Sequence, residues 1–165
     1  PGNRRAPVDG QPETLWQNRY YSVDRWRTTM ALNGSCLCGQ IKYTLSSPPL
    51  LLENCHCVMC RKAHGSAYTT FAKVTKSDFQ FTAGAEHASR YRSSPEVQRS
   101  FCKNCGGKFT FEWDQAPEYL WLAAGTFDDD PGLKPKFHIF VDSKADWYTI
   151  NDDLPQYAGY PPPDA

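Results

Sequence analysis

The sequence predicts a mainly β domain of short strands pinned by metal, and three observations predict it. Apolar residues alternate with a period of two along the middle of the chain, the mark of half-buried strands. Thirteen Pro and eleven Gly in 165 residues leave little room for long helices. Seven cysteines fall in three clusters between residues 36 and 105, an odd number that cannot pair completely as disulfides within one chain.

Residues 1–32 read as an N-terminal extension or arm. Arg4, Arg5, Arg19, Arg25 and Arg27 are interleaved there with Trp16, Tyr20, Tyr21 and Trp26. Arginine among aromatics can bind nucleic acid or an anionic surface. Only three acidic residues accompany the five arginines, so the excess is weak, and an arm that packs through its aromatics is the favoured expectation. The domain proper is read as residues 33–160. Ile41, Tyr43 and Leu45 alternate in a first strand, and Ser66–Val74 and Phe79–Thr82 follow. Phe109, Phe111 and Trp113 alternate in another. Tyr119–Ala123 and Phe137–Val141 are short apolar or aromatic runs of strand type. Met59–His64 is the one segment that suits a short helix. Pro48-Pro49, Gly84, Pro95, Pro117 and Asp130-Pro131-Gly132 are the breaks between elements. Residues 154–165 are Pro-rich and are expected to run over the surface, with 161–165 as a terminal Pro-rich tail.

Composition narrows the function. Lys plus Arg is 18 and Asp plus Glu is 18, so the formal charge is zero, which argues against a protein that coats nucleic acid. No run approaches the ~20 apolar residues that span a bilayer, so no membrane partner is expected. Residues 1–30 lack the apolar core of a secretory signal. The expected compartment is therefore a reducing cytoplasm, where clustered cysteines bind metal or do chemistry.

The clusters are Cys36-Leu37-Cys38-Gly39, Cys55-His56-Cys57-Val58-Met59-Cys60 and Cys102-Lys103-Asn104-Cys105-Gly106-Gly107. In a C-x-x-C turn followed by Gly, backbone N–H groups can point at the sulfurs and Gly supplies the required backbone angles. In C-x-C, an extended backbone puts both thiols on one face. Structural zinc takes four ligands and leaves no open position. Seven thiols then divide into a closed set, Cys36, Cys38, Cys102 and Cys105, and an open set, Cys55, Cys57 and Cys60. Three protein ligands with an exchangeable fourth are the pattern of a catalytic zinc. Other readings stay open: two structural sites with His56 closing the second, or one zinc with the triple cluster as a reactive or redox thiol set. His56 sits between two ligands and is expected to support the site or face solvent rather than bind the metal. A zinc with three thiolates carries a net charge of about −1 and is a poor Lewis acid beside a three-histidine zinc. It is better suited to holding a substrate thiol as thiolate, so chemistry on sulfur follows more naturally than hydrolysis.

These motifs, Gly34-Ser35-Cys36-Leu37-Cys38-Gly39, Cys55-His56-Cys57-Val58-Met59-Cys60-Arg61-Lys62, Gly65-Ser66 and Phe101-Cys102-Lys103-Asn104-Cys105-Gly106, resemble a known family. Gly125-Thr126-Phe127-Asp128-Asp129, His138-Ile139-Phe140-Val141 and Ser143-Lys144-Ala145 continue the resemblance. The family is that of glutathione-dependent formaldehyde-activating enzymes and centromere protein V, and the resemblance covers about residues 33–160. It implies a zinc-stapled β-tent domain of short antiparallel strands with few short helices. It implies two zinc ions per chain: a structural one on Cys36, Cys38, Cys102 and Cys105, and a labile one on Cys55, Cys57 and Cys60 near a glutathione site. The implied activity is a carbon–sulfur lyase that, in the synthetic direction, forms S-hydroxymethylglutathione from glutathione and formaldehyde. One departure is visible: Asp146 stands where family members often have Pro before the tryptophan, here Trp147.

Glutathione carries two carboxylates and one ammonium, so its site wants cations. Arg61 and Lys62 follow Cys60 directly and are the first candidates for substrate binding, with His64 as a proton donor or acceptor. His138 reads as a hydrogen-bonded core histidine, Asp128–Asp130 as turn residues, and Trp113, Trp121 and Trp147 as core. The expected function is a zinc-dependent lyase acting on a glutathione adduct, with Cys55, Cys57 and Cys60 catalytic through the bound zinc. The partner is glutathione or another small thiol adduct, and oligomeric state is left open. The alternative is a non-catalytic zinc module that binds protein or nucleic acid.

Overall fold

The computed structural model describes residues 31–162, so the reading of an arm falls, up to Met30, outside the described residues. Ten strands, one short α-helix and several single-turn 3₁₀ segments follow. The strands are β1 Leu32–Ser35, β2 Lys42–Leu45, β3 Leu51–Cys55, β4 Thr69–Thr75, β5 Phe79–Ala83, β6 Ala88–Ser94, β7 Val97–Cys102, β8 Lys108–Trp113, β9 Tyr119–Ala123 and β10 Pro135–Ile139. Helix α1 spans Val58–His64. One sheet has the order β1-β2-β5, and the other β10-β3-β4-β9-β8-β7-β6. Neighbours are antiparallel except β10, which runs parallel to β3. The mainly β class expected from the sequence is the class of the structure.

Strand parity places the core on one face of the large sheet and a cavity on the other. Leu52 of β3, Ala72 and Val74 of β4, and Leu120 and Leu122 of β9 pack against Leu32, Tyr43 and Leu45 of the small sheet. Burying a side chain such as Leu45 or Leu122 contributes roughly 1.5–3 kcal/mol over leaving it exposed. Tyr43 is fully buried, and its hydroxyl lies 2.7 Å from Thr126 Oγ1, which donates to the Ala123 carbonyl. The residues between these, Leu51, Glu53, Cys55, Phe71, Lys73 and Trp121, line the opposite face. A third cluster, Cys36, Ile41, Cys102 and Phe109, lies at the end of the sheets beside the four-cysteine set.

Four strands were not expected. β3 is buried on both faces and reads as a run rather than an alternation. β6, Ala88–Ser94, is a polar edge strand whose Arg90 and Arg92 face solvent, as edge strands require. β7 continues its hairpin, and β1 hides behind Asn33 and Gly34. The alternation at Phe109, Phe111 and Trp113 is also broken. The register slips between β7 and β8, where Ser100 pairs with Thr110 but Phe101 pairs with Lys108. This bulge turns Phe109 toward Ile41 and Cys36, whereas Phe111 and Trp113 line the cavity.

β10 ends at Ile139, two residues before the expected limit, because Phe140 takes a left-handed backbone with φ 57°. The Pro-rich segment after Leu154 does more than run over the surface. Pro155 accepts from the His138 N–H, Tyr157 donates to the His138 carbonyl, and Gly159 accepts from Phe140 N–H. The segment thereby covers the free edge of β10. Trp147 is 75% exposed, which corrects its reading as core, while Trp121 is buried.

Gly34 of β1 packs directly against the Tyr43 ring of β2 and the turn at Thr126. A Cβ there would run into the Tyr43 ring and lie 2.6 Å from the Thr126 carbonyl oxygen. Gly34→Ala is expected to cost about 1–3 kcal/mol by overpacking, lowering the melting temperature by about 5 °C. Thermal denaturation checks this, and an unchanged midpoint would contradict the packing.

Candidate functional site

Both cysteine groupings are brought together. The sulfurs of Cys36, Cys38, Cys102 and Cys105 lie within 4.8 Å of one another, as do those of Cys55, Cys57 and Cys60. In the first set, the turn after β1 and the turn between β7 and β8 face each other. Gly39 and Gly106 take left-handed backbones, φ 72° each, and close the two knuckles. The Ile41 N–H donates to Cys36 Sγ at 3.3 Å, and the Asn104 side-chain amide donates to Cys38 Sγ at 3.3 Å. That amide bond holds the Cys38 thiol down to about 6. Four sulfurs gathered within 4.8 Å of one another, with N–H donors aimed at Cys36 and Cys38, fit a four-thiolate soft-metal site.

The second set sits where β3 gives way to α1. Cys57 caps the helix: its Sγ accepts from the Cys60 N–H at 3.3 Å. Cys55 and Cys60 are buried, and Cys57 is half-buried. Without a cation the three thiols share their protons. Cys57 is pushed down by hydrogen bonds from Cys55 and Cys60, and Cys55 is pushed up by its bonds to Cys57 and Cys60. Three thiolates this close cannot all ionise unless a cation lies among them. The donor set therefore fits a metal ion with three protein sulfurs.

These thiols open on a cavity of about 500 Å³. Its floor is the sheet face described above, completed by Phe111, Trp113, Phe137 and Ile139. Met59 of α1, Phe140, Tyr160, Pro161 and Pro162 form the rim. Three charged residues line it, none expected from the sequence. Arg99 is nine-tenths buried, with Nη2 3.5 Å from Cys60 Sγ and Nε donating to Ser93 Oγ at 3.0 Å. Lys73 Nζ lies 3.9 Å from the centre of the Tyr119 ring. Glu53 is buried, and burial raises its carboxyl to about 7, against the pull of Lys73 and Trp121. Period two could have found Glu53, since it precedes Cys55 by two residues on one strand and so shares its face.

The residues singled out beforehand lie elsewhere. Arg61 donates to the carbonyls of His56 and Ser143 at 3.2 and 2.9 Å, tying α1 to the turn after β10. Lys62 is exposed on α1, and neither residue lines the cavity. His64 is half-buried, edge-on to Phe71 at 5.5 Å, and also lies outside the lining. His56 is fully buried, which corrects the solvent-facing option, and stands outside both cysteine sets. Its Nε2 lies 2.7 Å from His138 Nδ1, and His138 Nε2 lies 3.1 Å from Asp152. The two rings share one proton between Nε2 of His56 and Nδ1 of His138, and the Asp152 carboxylate accepts from His138 Nε2–H. Asp128 and Asp129 do more than turn the chain: they accept from Ser35 Oγ and the Asn33 N–H and fasten β1. Asp146 is exposed.

Comparison with known proteins places this geometry. The family model for glutathione-dependent formaldehyde-activating enzymes matches residues 31–143. A Halomonas elongata protein with the provisional name glutathione-dependent formaldehyde-activating enzyme is 31% identical over 141 residues, 80% of this chain and 90% of its own length. An uncharacterized lyase of Schizosaccharomyces pombe is 28% identical over 115 residues, 70% of this chain and 82% of its own. The crystal structure of a Rhodobacter sphaeroides protein aligns with a TM-score of 0.52 at 22% identity, covering 60% of this chain and 90% of that one. That last likeness is one of fold.

Two outcomes follow from the site. Cys102→Ser removes a fully buried sulfur from the four-cysteine set; metal analysis should find one ion fewer per chain, with a melting temperature about 10 °C lower. Full metal content would contradict the grouping. Burial, with Arg99 and Lys108 nearby, lowers His64 from 6.5 to about 4. The unfolded chain therefore binds this proton more readily, so the stability tied to neutral His64 is complete above pH 6.5 and drains as pH falls toward 4. His64→Gln should flatten that descent by about 1–2 kcal/mol in denaturant titrations at pH 7 and 5; parallel curves would contradict the burial.

Proposed function

The chain belongs to the glutathione-dependent formaldehyde-activating enzyme family, and on that premise we propose that it is a carbon–sulfur lyase joining glutathione to an aldehyde and releasing it again. The observation that carries this reading is the open three-cysteine set at the wall of a cavity that also holds two cations and a carboxyl. Cys36, Cys38, Cys102 and Cys105 would hold a structural zinc, and Cys55, Cys57 and Cys60 a second one. The second zinc, when bound, supplies a position at which a substrate sulfur is favoured as thiolate. The chain's own residues do the rest. Arg99, fixed by Ser93 and Phe111, offers its guanidinium beside Cys60 to oxygen that gains negative charge as the carbonyl is attacked. Lys73 supplies a second cation for a substrate carboxylate, and Glu53 accepts a hydrogen bond from the hydroxyl that forms. Arg61 holds the helix in place through the carbonyls of His56 and Ser143. Phe71, Phe111 and Trp121 exclude water from the reacting atoms.

In the synthetic direction the sulfur bonds to the aldehyde carbon, the carbonyl electron pair moves to oxygen, and the thiol proton finishes on that oxygen. No oxidant or reductant is needed. Exchange spectroscopy of glutathione with formaldehyde, with and without the metal-loaded protein, tests the reading. We expect exchange at least about 10²-fold above the spontaneous rate, and Cys57→Ser to return it to background. A rate equal to background with the intact protein would contradict the function.

A further inference from the structure

The cavity beside Cys55, Cys57 and Cys60 is far larger than a one-carbon substrate needs. At about 500 Å³ it falls in the range that buries ligands of drug size, whereas formaldehyde adds one carbon and one oxygen to the sulfur. Its walls are aromatic, and the rings are locked to one another. Phe111 stacks on Trp121 with centroids 4.9 Å apart and meets Phe71 edge-on at 4.8 Å. Trp113 stacks on Tyr160 at 5.5 Å, and Tyr160 meets Phe140 edge-on at 4.8 Å. These contacts brace the rings against collapsing onto a small adduct. An apolar space left unfilled forfeits the dispersion its lining could make.

Backbone strain points the same way. Phe140 is the single non-glycine residue with positive φ among the described residues, at 57°. An aromatic residue is costly there, and it is held by Phe140 N–H to the Gly159 carbonyl and Val141 N–H to the Tyr157 carbonyl. The terminal segment that makes those bonds also brings Tyr160, Pro161 and Pro162 to the rim. Polar capacity inside is small by comparison. Arg99 is engaged by Cys60, Ser93 and the Phe111 ring, and Lys73 lies over Tyr119. A glutathione carboxylate can reach Lys73, but the wall of Phe111, Trp113, Trp121, Phe140 and Tyr160 offers the peptide's charged groups no partner.

We propose that the aldehyde carbon joined to the glutathione sulfur carries an aryl group, which the box of Phe111, Trp113, Trp121, Phe140 and Tyr160 takes up. The inference rests on the thiol-adduct reading above and names its substrate class. The reaction is glutathione thiol plus an aryl aldehyde giving a hemithioacetal. The S–C bond forms, the carbonyl π bond breaks, and the sulfur's proton ends on oxygen, so nothing else is consumed. Flat aromatic faces select an aryl group by stacking, and its burial adds affinity in proportion to the area removed from water.

The test uses metal-loaded protein and two unreactive adducts, S-benzylglutathione and S-methylglutathione, titrated against tryptophan fluorescence, since Trp113 and Trp121 line the box. We expect the benzyl adduct to bind at least about tenfold more tightly, and Trp113→Ala to shrink that preference to below about threefold. A melting curve of the variant verifies that it folds. Exchange with glutathione is measured in parallel for formaldehyde and benzaldehyde, and benzaldehyde should be the better substrate by kcat/KM. Equal binding of the two adducts, together with accelerated formaldehyde exchange, would overturn the aryl inference and leave the lyase reading standing. No acceleration with either aldehyde would remove the lyase reading, and the aryl inference with it.

Discussion

Thiol sulfurs held within 4.8 Å of one another repel as soon as they ionise, and that repulsion is the constraint on which the structure turns. Protons can relieve it, as in the sharing among Cys55, Cys57 and Cys60, or a soft cation can. A cation would do more: it would bind segments of chain that are distant in sequence. Cys36 and Cys38 meet Cys102 and Cys105 across some sixty residues. The two knuckles thereby join the start of the small sheet to the β7–β8 turn of the large one, beside Ile41 and Phe109. Structural metal binding is folding free energy in such a domain, because no preformed site exists in the unfolded chain.

The large sheet divides the labour that remains. Leu52, Ala72, Val74, Leu120 and Leu122 face the small sheet and form the dry core. Their sequence neighbours, Leu51, Glu53, Phe71, Lys73 and Trp121, face the cavity. A one-residue slip in any of these strands would exchange core for cavity, so the register that stabilises the fold also positions the site. The bulge at Phe109 shows the same economy, sending one aromatic to the four-cysteine end and the next two to the cavity. The segment after Leu154 closes the arrangement by covering the edge of β10 and delivering Tyr160 to Trp113.

Much of this was legible in the residues, for physical reasons. Cysteine spacing speaks directly because C-x-C and C-x-x-C turns have few geometries, and the groupings read from it are those the structure assembles. Tyr119–Ala123 and the helix near Met59–His64 were legible because period and punctuation agree. β3 was not, since a strand buried on both faces has no alternation to read. The charged residues of the cavity escaped for a different reason. Proximity in sequence to Cys60 drew attention to Arg61, Lys62 and His64, yet Arg61 is engaged by the carbonyls of His56 and Ser143, Lys62 is exposed, and His64 packs on Phe71 behind the lining. Arg99 and Lys73 reach the cavity through strand pairing across dozens of residues, which no local pattern reports. Trp147 was read as core because tryptophan is usually buried, but it lies in an exposed turn closed by Lys144, whose ammonium donates to the Tyr148 carbonyl.

Loaded with metal, the two cysteine sets would form unlike centres, of which only the three-cysteine one could gain a sulfur from outside the protein. X-ray absorption at the zinc edge measures that directly, because it counts sulfur neighbours averaged over both ions. For the metal-loaded protein alone, the average should lie midway between three and four sulfurs, as a four-cysteine and a three-cysteine set require. Adding glutathione should raise it to four. An average already at four without glutathione, or one that glutathione leaves unmoved, would contradict the open site.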